Sequence, residues 1–167
     1  KGIYVYSEDD HDITIVADAN VYGRENAIRI INDSNRTDDS APRTKISVTV
    51  KGDTTSETES AIDVTSNYSN ISTTLGSGSL VKSRQSIGVD LSTNKGLGSV
   101  LLEGTKATDG TNTSTISGNT IGARLVTQGG NITVQNLDRV SGDAAQGIYA
   151  RSTGGTITIQ NIDSVTS

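Results

Sequence analysis

The chain has no cysteine, tryptophan, methionine or phenylalanine, one proline and one histidine. Without cysteine there are no disulfides and no thiolate metal or redox sites. Without large aromatics, a thick core filled by rings is excluded; hydrophobic residues are 32% of the chain and aromatic ones 3%. No apolar run reaches the roughly 18 residues a membrane-spanning helix needs. No basic start followed by an apolar stretch marks a signal peptide. Clustered basic charge is also missing: the formal net charge is -5, with scattered Lys and Arg. Nucleic acid is therefore not an expected partner, because its binding needs clustered cations to displace counterions.

What is present is small and polar: 21 Ser, 23 Thr, 12 Asn and 18 Gly among 167 residues. The apolar residues are mainly β-branched, with 17 Ile and 13 Val against 8 Leu, and such side chains favour strands. The composition predicts a β protein with a thin aliphatic core.

An internal repeat organises the chain. Residues 129–140 (GGNITVQNLDRV) align with residues 154–165 (GGTITIQNIDSV) at an offset of 25. Upstream, a small residue followed by aliphatic-x-aliphatic recurs with anchors at Ile3, Ile28, Ile62, Ile87, Ala123 and Ile148, spaced by 25, 34, 25, 36 and 25 residues. A second strand signal follows each anchor, at Ile13, Ile46, Val100, Ile132 and Ile157, and more weakly at Ile71. A third, shorter one appears as Leu137 with Val140 and Ile162 with Val165, where broken alternation predicts a bend.

Short strands separated by Gly and Asn, with Asp109-Gly110 the sole Asn-Gly or Asp-Gly pair, do not suit hairpins. The expectation is an all-β, right-handed single-stranded parallel β-helix: about six coils of about 25 residues with corner-loop insertions. Equivalent strands would stack about 4.8 Å apart, placing Asn136 over Asn161, Gln135 over Gln160 and Thr133 over Thr158. Insertions are expected after the first strand of coils two (Asn32 to Arg43) and four (Ser92 to Ser99), and from Glu103 to Thr115. Residues 1–167 read as a single β-helix segment without polar caps, which predicts an internal fragment of a longer array.

Gly2-Ile3-Tyr4-Val5 and Gly147-Ile148-Tyr149-Ala150, with the Gly-Gly-x-Ile-Thr-Ile/Val motifs, resemble the repetitive segments of autotransporter passenger domains from Gram-negative bacteria. The resemblance covers nearly the whole chain outside the insertions. It implies a secreted or surface-exposed stalk and an outer-membrane translocator barrel elsewhere in the full protein. It also implies an adhesin or receptor ligand, whose partner is a host cell-surface protein or glycan. Filamentous haemagglutinin-like adhesins and phage tailspikes share the architecture. A carbohydrate-active lyase or hydrolase and a structural spacer are the alternatives.

No residue set commits the chain to catalysis, a cofactor or a metal. His11 sits between Asp10 and Asp12 without further ligand spacing. Glu8-Asp9-Asp10 and Asp38-Asp39 offer oxygens to Ca²⁺ but lack a calcium-binding repeat. The outward columns of the first strand read Tyr4, Arg29, Asp63, Gly88, Arg124, Tyr149 and Tyr6, Ile31, Thr65, Asp90, Val126, Arg151. Asp63 and Asp90 thus fall in different columns of adjacent coils, and are the carboxylates that the enzymatic alternative would pair for glycoside hydrolysis. Six Asn-x-Ser/Thr sequons, at Asn32, Asn35, Asn67, Asn70, Asn112 and Asn131, follow from composition and assign no glycosylation. The expected partner patch comprises Arg36, Asp38, Asp39 and Lys95, on the two loops at one corner.

Overall fold

The computed structural model describes residues 1–34 and 44–167. Its described residues form sixteen strands and no helix. The first unit gives β1 (Ile3–Ser7), β2 (Ile13–Ala17) and β3 (Val21–Gly23); the second β4 (Ile28–Asn32), β5 (Lys45–Val50) and β6 (Thr54–Ser56). The third gives β7 (Ile62–Ser66), β8 (Asn70–Leu75) and β9 (Leu80–Ser83); the fourth β10 (Val89–Thr93), β11 (Val100–Gly104) and β12 (Thr115–Gly118). The fifth gives β13 (Ala123–Thr127) and β14 (Ile132–Gly142), and the sixth β15 (Ile148–Ser152) and β16 (Ile157–Thr166).

Strands pair in parallel with their counterparts in the next unit. One sheet runs β1-β4-β7-β10-β13-β15. The other runs β2-β5-β8-β11-β14 and returns through β12-β9-β6-β3, with β16 alongside β14. The two arms join because β14 and β16 each continue through a bend. At that bend Asn136 and Asn161 take left-handed backbone angles, φ 59 and 54, a conformation Asn tolerates better than most residues. The bend thus falls at Asn136, ahead of the step from Leu137 to Val140 where the broken alternation placed it.

The predicted ladders are present at this end of the stack. Thr133 pairs with Thr158, Gln160 Nε2 donates to Gln135 Oε1 at 3.0 Å, and Asn161 Nδ2 donates to Asn136 Oδ1 at 2.6 Å. The weak signal at Ile71 is a full strand, paired with Ile46 on one side and Val100 on the other.

One register differs from the sequence reading. The first inward column is Ile3, Ile28, Ile62, Val89, Ala123 and Ile148; Val89, not Ile87, occupies the fourth place. A slip of two residues keeps every side chain on its own face, so alternation cannot distinguish the two. The change also shortens the corner predicted as an insertion at Ser92 to Ser99: β10 runs through Thr93 and β11 starts at Val100. The fourth unit's extra length lies at residues 105–114, between β11 and β12.

The core is a narrow aliphatic stack in which Ile28, Ile30, Ile62, Val64, Val89, Leu91, Ala123 and Leu125 are fully buried. Burying each such side chain contributes about 1.5–3 kcal/mol for Val, Leu or Ile. Two threonines interrupt the apolar columns. Thr73 stands between Val48 and Leu102, and Thr54 between Val21 and Val81. Both are fully buried, and their hydroxyls have no hydrogen-bond partner.

Polar residues close the corners. At the end of the first sheet's strands Asn32, Ser66, Thr93 and Thr127 form a buried column. Their side chains serve the turning backbone: Ser66 Oγ accepts from Ser69 N at 3.0 Å, Thr93 Oγ1 donates to Gly98 O at 3.1 Å and Thr127 Oγ1 to Gly130 O at 2.8 Å. At the opposite corner Gly118 is required by close packing, since a Cβ there would lie 1.9 Å from Ile121 O. Several sequon asparagines are likewise structural. Asn67 Nδ2 donates to Asp33 Oδ1 at 2.8 Å, Asn70 Oδ1 accepts from Ser99 N at 2.9 Å, and Asn131 Oδ1 from Thr156 N at 2.9 Å.

Candidate functional site

The corrected register changes the outward surface of the first sheet. Asp90 pairs with Asp63 on one side and Arg124 on the other. The column therefore reads Tyr4, Arg29, Asp63, Asp90, Arg124, Tyr149. The beside-lying column reads Tyr6, Ile31, Thr65, Ser92, Val126, Arg151. Both predicted columns are thus corrected at the fourth unit, where Asp90 replaces Gly88 in the first and Ser92 replaces Asp90 in the second.

The four central side chains form two ion pairs facing opposite ways along the stack. Arg29 Nε lies 3.4 Å from Asp63 Oδ2. Arg124 Nη1 donates to both Asp90 oxygens, at 2.8 and 3.2 Å. Asp63 and Asp90 side chains are 21% and 19% exposed, the two arginines 36% and 37%. Thr65 Oγ1 donates to Asp63 Oδ1 at 3.5 Å, and Ser92 Oγ to Thr65 Oγ1 at 3.3 Å. Tyr4 and Tyr149 expose 48% and 37% of their surface at the two ends, with Lys1 Nζ 4.3 Å from the Tyr4 ring centre.

Like charges directly opposite on paired strands are destabilising, and Asp63 and Asp90 show the electrostatic consequence. Burial pushes the Asp63 carboxyl above its ordinary value; the Asp90 charge pushes it further, and Arg29 only partly offsets them. Burial also raises Asp90, against the opposing pull of Arg124. On the other sheet a row of outward polar groups, Thr74, Glu103, Gln135 and Gln160, is satisfied along its length. There Glu103 accepts from Thr74 at 3.4 Å and from Gln135 at 3.0 Å. The Asp63–Asp90 pairing is repulsive instead, and departures of this kind concentrate at functional sites. Period-two alternation alone could not reveal it; only the fourth unit's register does.

The predicted loop patch is described only in part. Arg36, Asp38 and Asp39 lie outside the described residues. Lys95 is exposed, with its ammonium 5.8 Å from the centre of the Tyr68 ring. Beside it Gly96 turns with φ +64 against the same ring, where a Cβ would sit 2.9 Å from Tyr68 Cδ1. The roots of the two loops meet on the third unit's corner: Asn67 bonds Asp33 and the Ser34 carbonyl, while Lys95 N donates to Asn67 O at 2.9 Å.

His11 is exposed, with its backbone N–H bonded to Asp9 O at 3.0 Å. Among the described residues no three acidic, histidine or cysteine side chains gather as metal ligands, and no helix is long and apolar enough to cross a membrane. Surface concavities occur on other faces, one around Ser72, Leu101 and Thr133 and one around Lys82, Arg84 and Asn119. Compared with known proteins, the chain matches no family model, no curated protein and no solved structure.

Proposed function

We propose that the chain is a right-handed parallel β-helix of the autotransporter passenger type, displayed at or released from a bacterial surface. On this reading it acts as an adhesin or host-receptor ligand without turnover. The observation that carries the reading is the column Arg29–Asp63–Asp90–Arg124. A spacer has no use for two half-buried carboxylates held side by side, whereas a binding face gains from charged groups already fixed in place. Parallel stacking supports it by setting those groups at constant steps on a continuous sheet. The test is binding of the labelled 167-residue chain to host epithelial cells, with turnover assayed against glycans and peptides. Saturable binding with flat turnover supports the reading; no cell binding overturns it.

One observation favours a second reading. Asp63 and Asp90 stand on adjacent rungs of one outward column, and glycoside hydrolysis works through a pair of neighbouring carboxyl groups. Reproducible glycan cleavage abolished by Asp63→Asn or Asp90→Asn would select it.

A further inference from the structure

We infer that the column from Tyr4 to Tyr149 is a strip that binds an extended, uncharged saccharide lying along the stack. This rests on the binding role above and names its partner class. Three features of the column define the ligand.

The first is charge. Arg29 and Arg124 balance Asp63 and Asp90 at the centre of the strip, so those four groups carry no net charge to hold a phosphate or sulfate polymer. The second is hydrogen-bonding character. Guanidinium N–H groups need acceptors and carboxylate oxygens need donors. Here the two kinds succeed each other along one line, and a hydroxyl group serves both. Arg29 Nε is buried without a hydrogen bond, since its 3.4 Å approach to Asp63 makes an ion pair only.

The third is shape. Successive rungs lie about 4.8 Å apart, so Arg29 to Arg124 spans about 14 Å and Tyr4 to Tyr149 about 24 Å. A ligand meeting groups in a straight line, one side chain wide, is a linear polymer. A peptide strand adding to a sheet would need a free edge. These side chains stand instead on the face of a sheet whose interior strands are paired on both sides. Sugar rings also present apolar faces. The exposed Tyr4 and Tyr149 rings and the neighbouring Ile31 and Val126 give those faces apolar contact.

The experiment measures calorimetric binding of the intact chain to linear uncharged oligosaccharides (cellulose, chitin, xylan and β-1,3-glucan fragments, from dimers to hexamers), with heparin as the charged comparison. Parallel arms measure binding to host cells before and after enzymatic deglycosylation. At least one series should bind, with affinity rising from dimer to hexamer. Asp63→Asn with Asp90→Asn should lose about tenfold in affinity, the effect of removing charge-assisted contacts. Tyr149→Ala should lose less, and Gln135→Ala on the other sheet nothing. If the double variant does not fold, Arg124→Gln takes its place with the same expected loss. Absence of hexamer binding at millimolar concentration overturns the inference, as does binding that the strip variants leave intact or binding to heparin alone. Cell binding that survives deglycosylation, with no hexamer bound, overturns the saccharide strip and leaves the adhesive role standing. Absence of binding to untreated cells overturns the adhesive role instead, and the hexamers then decide the strip.

Discussion

Asp90 lies directly beside Asp63 on the neighbouring strand of the same parallel ladder, both side chains facing outward. Each is drawn away from the other by its own arginine, Asp63 toward Arg29 and Asp90 toward Arg124. The pairing places two like charges side by side at the centre of the first sheet's outward face.

That repulsion makes stability depend on pH with a definite sign. The Asp63 carboxyl is raised above 3.8, chiefly by burial and then by Asp90. The folded chain therefore holds this proton more tightly than the unfolded chain. The contribution is fully present below 3.8 and is lost as pH rises through the folded-state pKa. Asp63→Asn is expected to raise the thermal midpoint at pH 7, with the gain vanishing toward pH 3. Calorimetry at several pH values checks it; an equal gain at every pH would contradict it.

The buried hydroxyls of Thr73 and Thr54 are a second liability, since each stands without a partner in an aliphatic column. Thr73→Val keeps the shape and removes the desolvated group. It is expected to stabilise by about 1–2 kcal/mol in urea denaturation. Ile62→Ala, in the fully buried neighbouring stack, should destabilise by about 2–5 kcal/mol.

The repeat, the parallel stacking and the amide ladder of the last two units were legible because residues 129–140 and 154–165 are nearly the same sequence. The fourth unit was not. Ile87 and Val89 both satisfy the alternating pattern, and only tertiary pairing with Ile62 and Ala123 chooses between them. Asp63 and Asp90 were legible as outward carboxylates of adjacent coils, but their place in one column was not, since the two-residue slip is what brings Asp90 beside Asp63. The buried corner column of Asn32, Ser66, Thr93 and Thr127 also escaped sequence reading. Small polar residues signal turns whether their side chains face water or the turn's own backbone. β6 (Thr54–Ser56) contains no aliphatic residue at all, so hydropathy gave no sign of it.

Left-handed backbone at Asn136 and Asn161 sets a conformational requirement at the bend. Asn136→Val should destabilise by about 1–2 kcal/mol, the cost of that conformation for an ordinary residue, plus the lost bond to Asn161. Asn136→Gly relieves the backbone and should cost less. Urea midpoints of the two variants give the comparison, and equal losses would show that the backbone conformation is not the cause.

The loop at residues 105–114 reaches across the fifth unit to the sixth. Asn112 Nδ2 donates to Asn161 O at 3.1 Å and to Asp163 Oδ1 at 3.0 Å. Asn112→Ala is expected to speed amide exchange in β16 near Asn161 while moving global stability by only about 0.5 kcal/mol, as for most surface changes. Unchanged exchange in β16 would show that the loop does not hold the last unit.

The most direct measurement is a carboxylate titration of Asp63 by carbon-detected NMR, in the parent chain and in Asp90→Asn. Side-by-side placement predicts an Asp63 pKa raised in the parent, chiefly by burial and then by Asp90, and a partial fall once the Asp90 charge is gone. An Asp63 titration unchanged by Asp90→Asn would put the two carboxylates in different columns and remove the foundation of the proposed strip.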